Sequence, residues 1–256
     1  MDLGISGKIA AVAASSKGLG FAAARELARE GVRVGICSSN EQRVAHAIRM
    51  LREDTGAEVA GTVADLATAD GPAAFISFVT SELGAPDILV TNNGGPPATT
   101  HETTTERHWA AAYDMTLMSC VRLVTAALPA MKERRWGRIV NITSVSVKQP
   151  IDGLLLSNAL RAGIVGYART LANEVGAFGI TVNNVCPGYT RTERLQELAR
   201  TRNDDFLAQL GTRIPLGRIG EPEELAALIT FLASTRAAFI TGATIPVDGG
   251  FYRGLM

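Results

Sequence analysis

The stretch Ala13-Ala14-Ser15-Ser16-Lys17-Gly18-Leu19-Gly20 stands between a short apolar run and a helix-length amphipathic segment. Upstream, residues 8–14 (KIAAVAA) carry the small and β-branched side chains of a buried strand. Downstream, residues 19–30 place Leu19, Ala22, Ala23 and Leu27 on one side and Arg25, Glu26, Arg29 and Glu30 elsewhere, with Gly31 as the stop. The same alternation runs on to the C-terminus. Strands are expected at 32–37, 57–66, 87–93, 137–144, 179–188 and 243–250. Helices are expected at 41–54, 70–83, 105–134, 155–177 and 221–233. Strands apolar on both faces, separated by helices of this length, make βαβ units and a parallel sheet. The prediction is a three-layer, doubly wound α/β sheet (a Rossmann fold) of about seven strands flanked by helices. No Pro/Gly/Ser-rich linker and no short-period repeat divides the chain, so residues 1–256 are expected to form one doubly wound domain.

Composition narrows the function classes. Lys+Arg and Asp+Glu are 25 each, so the formal net charge is zero, with no footprint for nucleic acid or an anionic membrane surface. The N-terminus lacks a charged region ahead of an apolar one, and no run of about 18 apolar residues occurs. A cytoplasmic protein without membrane contact is the expectation. Cys37, Cys120 and Cys186 are odd in number and far apart, which argues for buried thiols rather than disulfides or a zinc site. His101 and His108 fall in a Thr/Glu-rich segment. We read it as a polar helix start, capped by Thr103 or Thr104 with Glu106 or Arg107 in the first turn, and expect no metal.

In a doubly wound sheet, ligands bind outside the carboxyl ends of the strands. The loops there are 15–18, 37–40, 64–66, 92–95, 143–146 and 186–192, and they should line one crevice. Glycines at a helix mouth let the backbone approach a diphosphate, although a lone G-x-G is a weak signal. A carboxylate at the end of the second strand would bind a ribose 2′-OH and repel a 2′-phosphate. Cys37-Ser38-Ser39-Asn40 has none, Lys17 sits in the turn, and Ser38 and Ser39 can donate to phosphate. NADP is therefore favoured over NAD. Arg43 reads better as a solvated surface cation.

Several short motifs, in order, resemble the short-chain dehydrogenase/reductase family over essentially the whole chain. Gly18 and Gly20 match its T-G-x-x-x-G-x-G turn, with Ala13 and Ala14 in place of Thr and the first Gly. Asp65, before Leu66, stands for its adenine-ring Asp, and Asn92-Asn93-Gly94-Gly95 for its N-N-A-G. Asn141-Ile142-Thr143-Ser144, Pro187-Gly188 with Thr192, and residues 240–250 match its later strand ends. Order and spacing resemble the 3-oxoacyl-carrier-protein reductase branch. The resemblance implies that Ser15, Ser16, Lys17, Gly18, Leu19, Gly20, Ser38, Ser39, Asp65, Leu66, Asn93, Gly94, Arg161, Pro187, Gly188 and Thr192 bind the cofactor.

The family's Asn–Ser–Tyr–Lys set is only partly present. Ser144 keeps the serine, Ser157 stands where Tyr belongs, Arg161 where Lys belongs, and Thr116 where Asn belongs. Tyr167, ten residues late, reads as a packing residue. The i,i+4 spacing puts Ser157 and Arg161 on one helix face. Some family members resemble this chain in carrying S-x-x-x-R. The catalytic candidates are thus Ser144, Ser157, Arg161 and Thr116, with Ser144 and Tyr189 toward substrate.

The implied function is hydride transfer between NADP(H) and a carbonyl or alcohol, with a 3-oxoacyl thioester as model substrate. Alternatives are a silent dinucleotide-binding partner subunit, or a reductase of an activated imine or conjugated substrate. Residues 189–213 would lie over the substrate. There Arg191, Arg194, Arg200, Arg202 and Arg213 nearly balance Glu193, Glu197, Asp204 and Asp205 among Leu195, Leu198, Phe206, Leu207 and Leu210. That pattern favours a solvated amphipathic helix over an anion-binding lid. Resemblance also implies a homotetramer or homodimer through 105–134 and 155–177.

Overall fold

The computed structural model describes residues 1–200 and 206–255. Seven strands lie in one parallel sheet: β1 (Ile9–Val12), β2 (Arg33–Ser38), β3 (Val59–Val63), β4 (Ile88–Thr91), β5 (Gly137–Ile142), β6 (Ile180–Pro187) and β7 (Thr244–Val247). Their order is β3-β2-β1-β4-β5-β6-β7, so the winding reverses between β1 and β4. Every pairing is parallel, as the near-continuous apolar runs require.

The period of two along each strand divides the core. Ala10 and Val12 of β1, with Ile88 and Val90 of β4, face one cluster. It is closed by α1 (Gly18–Arg29), α2 (Glu41–Thr55) and α9 (Pro222–Ala233) through residues such as Leu27, Leu51 and Ile229. Ile9 and Ala11, with Leu89, face the other. There α3 (Gly71–Glu82), α5 (Ser119–Arg134) and α6 (Leu155–Val175) bring Phe75, Leu123 and Leu171. All three thiols are buried, and burial pushes Cys37 up to about 12 and Cys120 up to about 11.

The helix expected over 105–134 is continuous but not uniform. It comprises α4 (Glu106–Ala112), a π-helical turn Tyr113–Met118, and α5. By length and composition it could cross a membrane; here Cys120, Leu123, Val124, Ala127 and Met131 are buried against the sheet. Its cap is Thr105, not Thr103 or Thr104. Thr105 and His108 bond reciprocally, whereas the hydroxyls of Thr103 and Thr104 turn back to the Thr100 carbonyl.

Residues 189–213 carry two short helices, α7 (Glu193–Arg200) and α8 (Phe206–Thr212). Leu195 and Leu210 are buried with Ile219 against Tyr189 and Leu207, so the apolar face of the expected amphipathic pattern packs while Glu193, Arg194 and Glu197 stay exposed. Arg202, Asp204 and Asp205, and the side chains of Leu198 and Phe206, lie outside the described residues.

The first strand stops at Val12 instead of 14, because Ala14 turns left-handed at φ +46°. That region costs an L-residue roughly 1–2 kcal/mol. Glycine avoids the strain, less about 0.5–1 kcal/mol of extra freedom lost on folding. Ala14→Gly is expected to stabilise the fold by about 0.5–1 kcal/mol, read as a higher urea midpoint at constant slope. An unmoved midpoint would remove the strain argument.

Candidate functional site

At the carboxyl ends of the strands, over the β1/β4 switch point, lies a cavity of about 590 Å³, within the usual range for small-molecule sites. All six loops expected to line a crevice contribute to its wall.

The glycine turn forms one side. Ser16, Lys17, Gly18 and Leu19 open onto the cavity; Ser15 and Gly20 do not. Ser15 is fully buried and its hydroxyl donates to the Val12 carbonyl at 2.6 Å, which secures the turn from behind. Gly20 has no room for a side chain. A Cβ there would stand 2.6 Å from the Ala14 carbonyl oxygen and 2.8 Å from Asn92 Nδ2. Asn92 Nδ2 itself donates to that carbonyl at 3.1 Å. These two residues thus support the turn without joining its wall as ligands.

Next to the turn, Ser38 and Ser39 reach the wall with Asp65 and Leu66. Arg43 borders it too and stays exposed, as a solvated cation should. Asn40 caps α2 by accepting from Arg43 N at 2.9 Å, which sets where that turn begins. Asp65 turns an oxygen to Ala67 N at 3.0 Å.

Across the cavity, α6 and the end of β5 assemble the polar cluster. Ser144 opens a 3-10 turn and accepts from Ser146 N at 3.1 Å, which leaves its own O–H to donate. Ser157 and Arg161 share a helix face and bond directly, with Arg161 Nε donating to Ser157 Oγ at 3.2 Å. Arg161 Nη1 donates to the carbonyls of Ile142 at 3.1 Å and Thr143 at 3.0 Å, and Nη2 to Asn93 Oδ1 at 3.4 Å. Four of five guanidinium hydrogens are thereby engaged, and one remains. The contact between Arg161 and Ser157 leaves the Ser157 O–H free to donate as well.

Arg161 is 8% exposed. Burial pulls its guanidinium down to about 10, and Arg194 adds to this, so it still carries its proton at neutral pH. Backbone and amide oxygens hold this charge in place of a carboxylate.

Thr116 is the exception among the catalytic candidates. Its hydroxyl is fully buried without a hydrogen-bond partner and does not reach the wall. It lies in the π-helical turn, and its carbonyl accepts from Asn93 Nδ2 at 3.4 Å. Asn93 therefore joins that turn to Arg161. Tyr167 packs against the second core cluster, as expected of it.

The far wall comes from the β6 end and α7. Pro187, Gly188, Tyr189 and Thr192 line it, and the Tyr189 ring meets Phe251 edge-on with centroids 5.2 Å apart. Glu193 and Arg194, from the segment read as solvated, also reach it. Met115, Ile151 and Leu154 add apolar wall that no motif announced. A parallel bridge between Thr99 and Leu154 brings the loop after β4 against the start of α6.

Fold and cavity together define a dinucleotide-binding α/β protein of the reductase type. The chain belongs to the short-chain dehydrogenase/reductase family: the family profile described as Enoyl-(Acyl carrier protein) reductase matches residues 13–252. A 3-oxoacyl-(acyl-carrier-protein) reductase from Pseudomonas aeruginosa is 38% identical over 253 residues, covering 98% of this chain and 99% of the relative. Among solved structures, L-sorbose reductase from Gluconobacter frateurii in complex with NADPH and L-sorbose superposes with a TM-score of 0.94 at 33% identity, over 100% of both chains. An NADPH-bound short-chain oxidoreductase from Pseudomonas aeruginosa PAO1, described as containing an atypical catalytic center, superposes with a TM-score of 0.90. It is 32% identical, with 96% of this chain and 97% of that one covered.

Proposed function

We propose that the protein is an NADP(H)-linked oxidoreductase interconverting a carbonyl and an alcohol, with a 3-oxoacyl thioester as model substrate and Ser144, Ser157 and Arg161 as the reacting cluster. The observation that carries this reading is the buried, protonated Arg161 bonded to Ser157 in the same cavity as Ser144. The relatives' named activities support it.

The cavity fits a dinucleotide. Lys17 and Gly18 face it from a helix mouth, and a Cβ at Gly94 would meet only Met115 Sδ, at 3.9 Å, so backbone lies open there. Lys17, Arg43, Ser38 and Ser39 offer cations and hydroxyls at one end, which suits a 2′-phosphate. Thr192 stands against Gly18 beside the turn, and Gly188 and Asn93 would hold the other end. When bound, the nicotinamide supplies or accepts the hydride.

The chain's own residues handle the oxygen. Ser144 Oγ donates to the carbonyl oxygen and orients it. Ser157 Oγ donates a second bond, strengthened because its oxygen already accepts from a cation. The Arg161 charge stabilises the alkoxide as it forms. Serine is not a competent acid near neutral pH, and Arg161, with four hydrogens committed to acceptors, serves as a fixed cation, so the proton comes from solvent. The same reading extends to assembly as a homo-oligomer through α4, α5 and α6.

The test is NADPH titration by fluorescence, then turnover on 3-oxoacyl thioester, ketone and imine panels. Ser144→Ala is expected to lower kcat/KM about a hundredfold with little change in NADPH affinity. Absence of binding at millimolar NADPH would sink the reading.

A further inference from the structure

The cation that NADP(H) would require is already held by an acid of this chain. Lys17 Nζ donates to Glu193 Oε2, joining the glycine turn to the first residue of α7 across 176 positions of sequence. Both residues line the cavity, and so do Arg43, Ser38 and Ser39 at the end of β2. The Glu193 carboxyl lies below the usual range, chiefly through the bond from Lys17, with further pull from the charges of Lys17 and Arg43. The carboxylate therefore stands against Lys17 and within electrostatic reach of Arg43, in the same cavity as the serines that end β2, where a doubly wound fold reads the ribose 2′ position.

We propose that Glu193 is a cofactor-selectivity residue: its carboxylate occupies Lys17 as an internal stand-in for the 2′-phosphate and opposes NADP(H) while leaving NAD(H) untouched. The inference rests on the NADP(H) reading above. A 2′-phosphate, at about −1.5 to −2 charge, outbids a single carboxylate for Lys17. Binding must still break the existing pair and accept a nearby negative group. A 2′-hydroxyl makes no demand on Lys17, so NAD(H) meets neither cost. Such a repulsive element is a usual way of setting the ratio of two affinities rather than either one.

Lys17 and Glu193 side chains are 40% and 61% exposed, so solvent screens the pair and its effect is modest. In Glu193→Gln, NADPH affinity should rise about two- to fivefold and NADH affinity should stay within about 1.5-fold. Both are read by fluorescence titration of the full chain at low salt, and the gain should shrink at high salt. A Lys17→Ala variant should lose NADPH affinity and make the Glu193→Gln gain smaller, since the two residues act on each other. Equal tightening of both cofactors, or no tightening of either, would overturn the proposal. The wild-type preference tests the underlying reading separately. A wild type that favours NADPH with an unmoved ratio in Glu193→Gln leaves that reading intact and rejects this inference. A wild type without preference that gains one in Glu193→Gln does the reverse.

Discussion

Arg161→Ala should lower kcat/KM for carbonyl reduction about a hundredfold or more. The side chain is the hub of the site, bonding Ser157 Oγ, Asn93 Oδ1 and the carbonyls of Ile142 and Thr143. On the proposed reading, alanine removes the cation that would face the developing alkoxide, and it leaves Ser157 without the Arg161 bond. Two opposed effects bear on stability. The charge no longer needs to be buried without a carboxylate, but buried acceptors lose a donor, at about 1–3 kcal/mol. Fold loss is separated from catalytic loss by the urea midpoint and by NADPH titration. Arg161→Lys retains the charge without the fork, since one ammonium cannot reach two carbonyls, an amide and a hydroxyl together. Its expected loss is about tenfold.

The pH profile carries the same argument. With no tyrosine in the Ser157 position, reduction should show no step between about pH 6 and pH 9. It should fall as pH rises through about 10, where the buried Arg161 loses its proton. The sign follows from the charged form being the useful one: it is present below the pKa and lost above it. A clear inflection near neutrality would point to a different proton donor, and a full-rate Arg161→Ala enzyme would remove this residue from the chemistry.

Gly20→Ala is expected to disable the cofactor turn. An added methyl would meet the Ala14 carbonyl oxygen at 2.6 Å, Asn92 Nδ2 at 2.8 Å and Ser15 Cα at 2.9 Å, and two of these are backbone atoms. Something must move, and the movable part is the turn itself. Alanine would ordinarily favour a helix by about 1 kcal/mol over glycine. Overpacking costs about 1–3 kcal/mol, so the steric term wins. The expected result is a urea midpoint lowered by about 1–2 kcal/mol equivalents and NADPH binding weakened at least about tenfold. Gly166→Ala on α6, where nothing lies within 4 Å of the added carbon, serves as the control and should not lose stability. An unaffected NADPH titration in Gly20→Ala would show that the turn tolerates the shift.

Much of the fold was legible because its signals are local. Alternating apolar runs and amphipathic segments follow from strand and helix periods, and those periods depend only on neighbouring residues. The i,i+4 placement of Ser157 and Arg161 is of the same kind, and their bond realises it. Boundaries were less legible. The first strand ends early because Ala14 takes φ +46°. The π-helical turn Tyr113–Met118 left no mark on an apolar pattern that continues on both sides of it. Thr103 and Thr104 looked as able to cap as Thr105, and only their bonds to Thr100 rule them out.

The amino-acid sequence by itself determined a doubly wound parallel sheet, the glycine turn, the crevice loops and the substituted Ser–Ser–Arg set. The tertiary structure alone decided which of those side chains meet. It turned the Ser15 hydroxyl inward and buried Thr116 behind the wall. It brought Arg161 to carbonyls 18 and 19 residues earlier, and Lys17 to Glu193 across 176 residues. The physical reason is that a period fixes which face a residue occupies, whereas a contact between distant residues exists only once separate elements dock. In this chain that docking set the surroundings of Arg161 and of the Lys17–Glu193 pair.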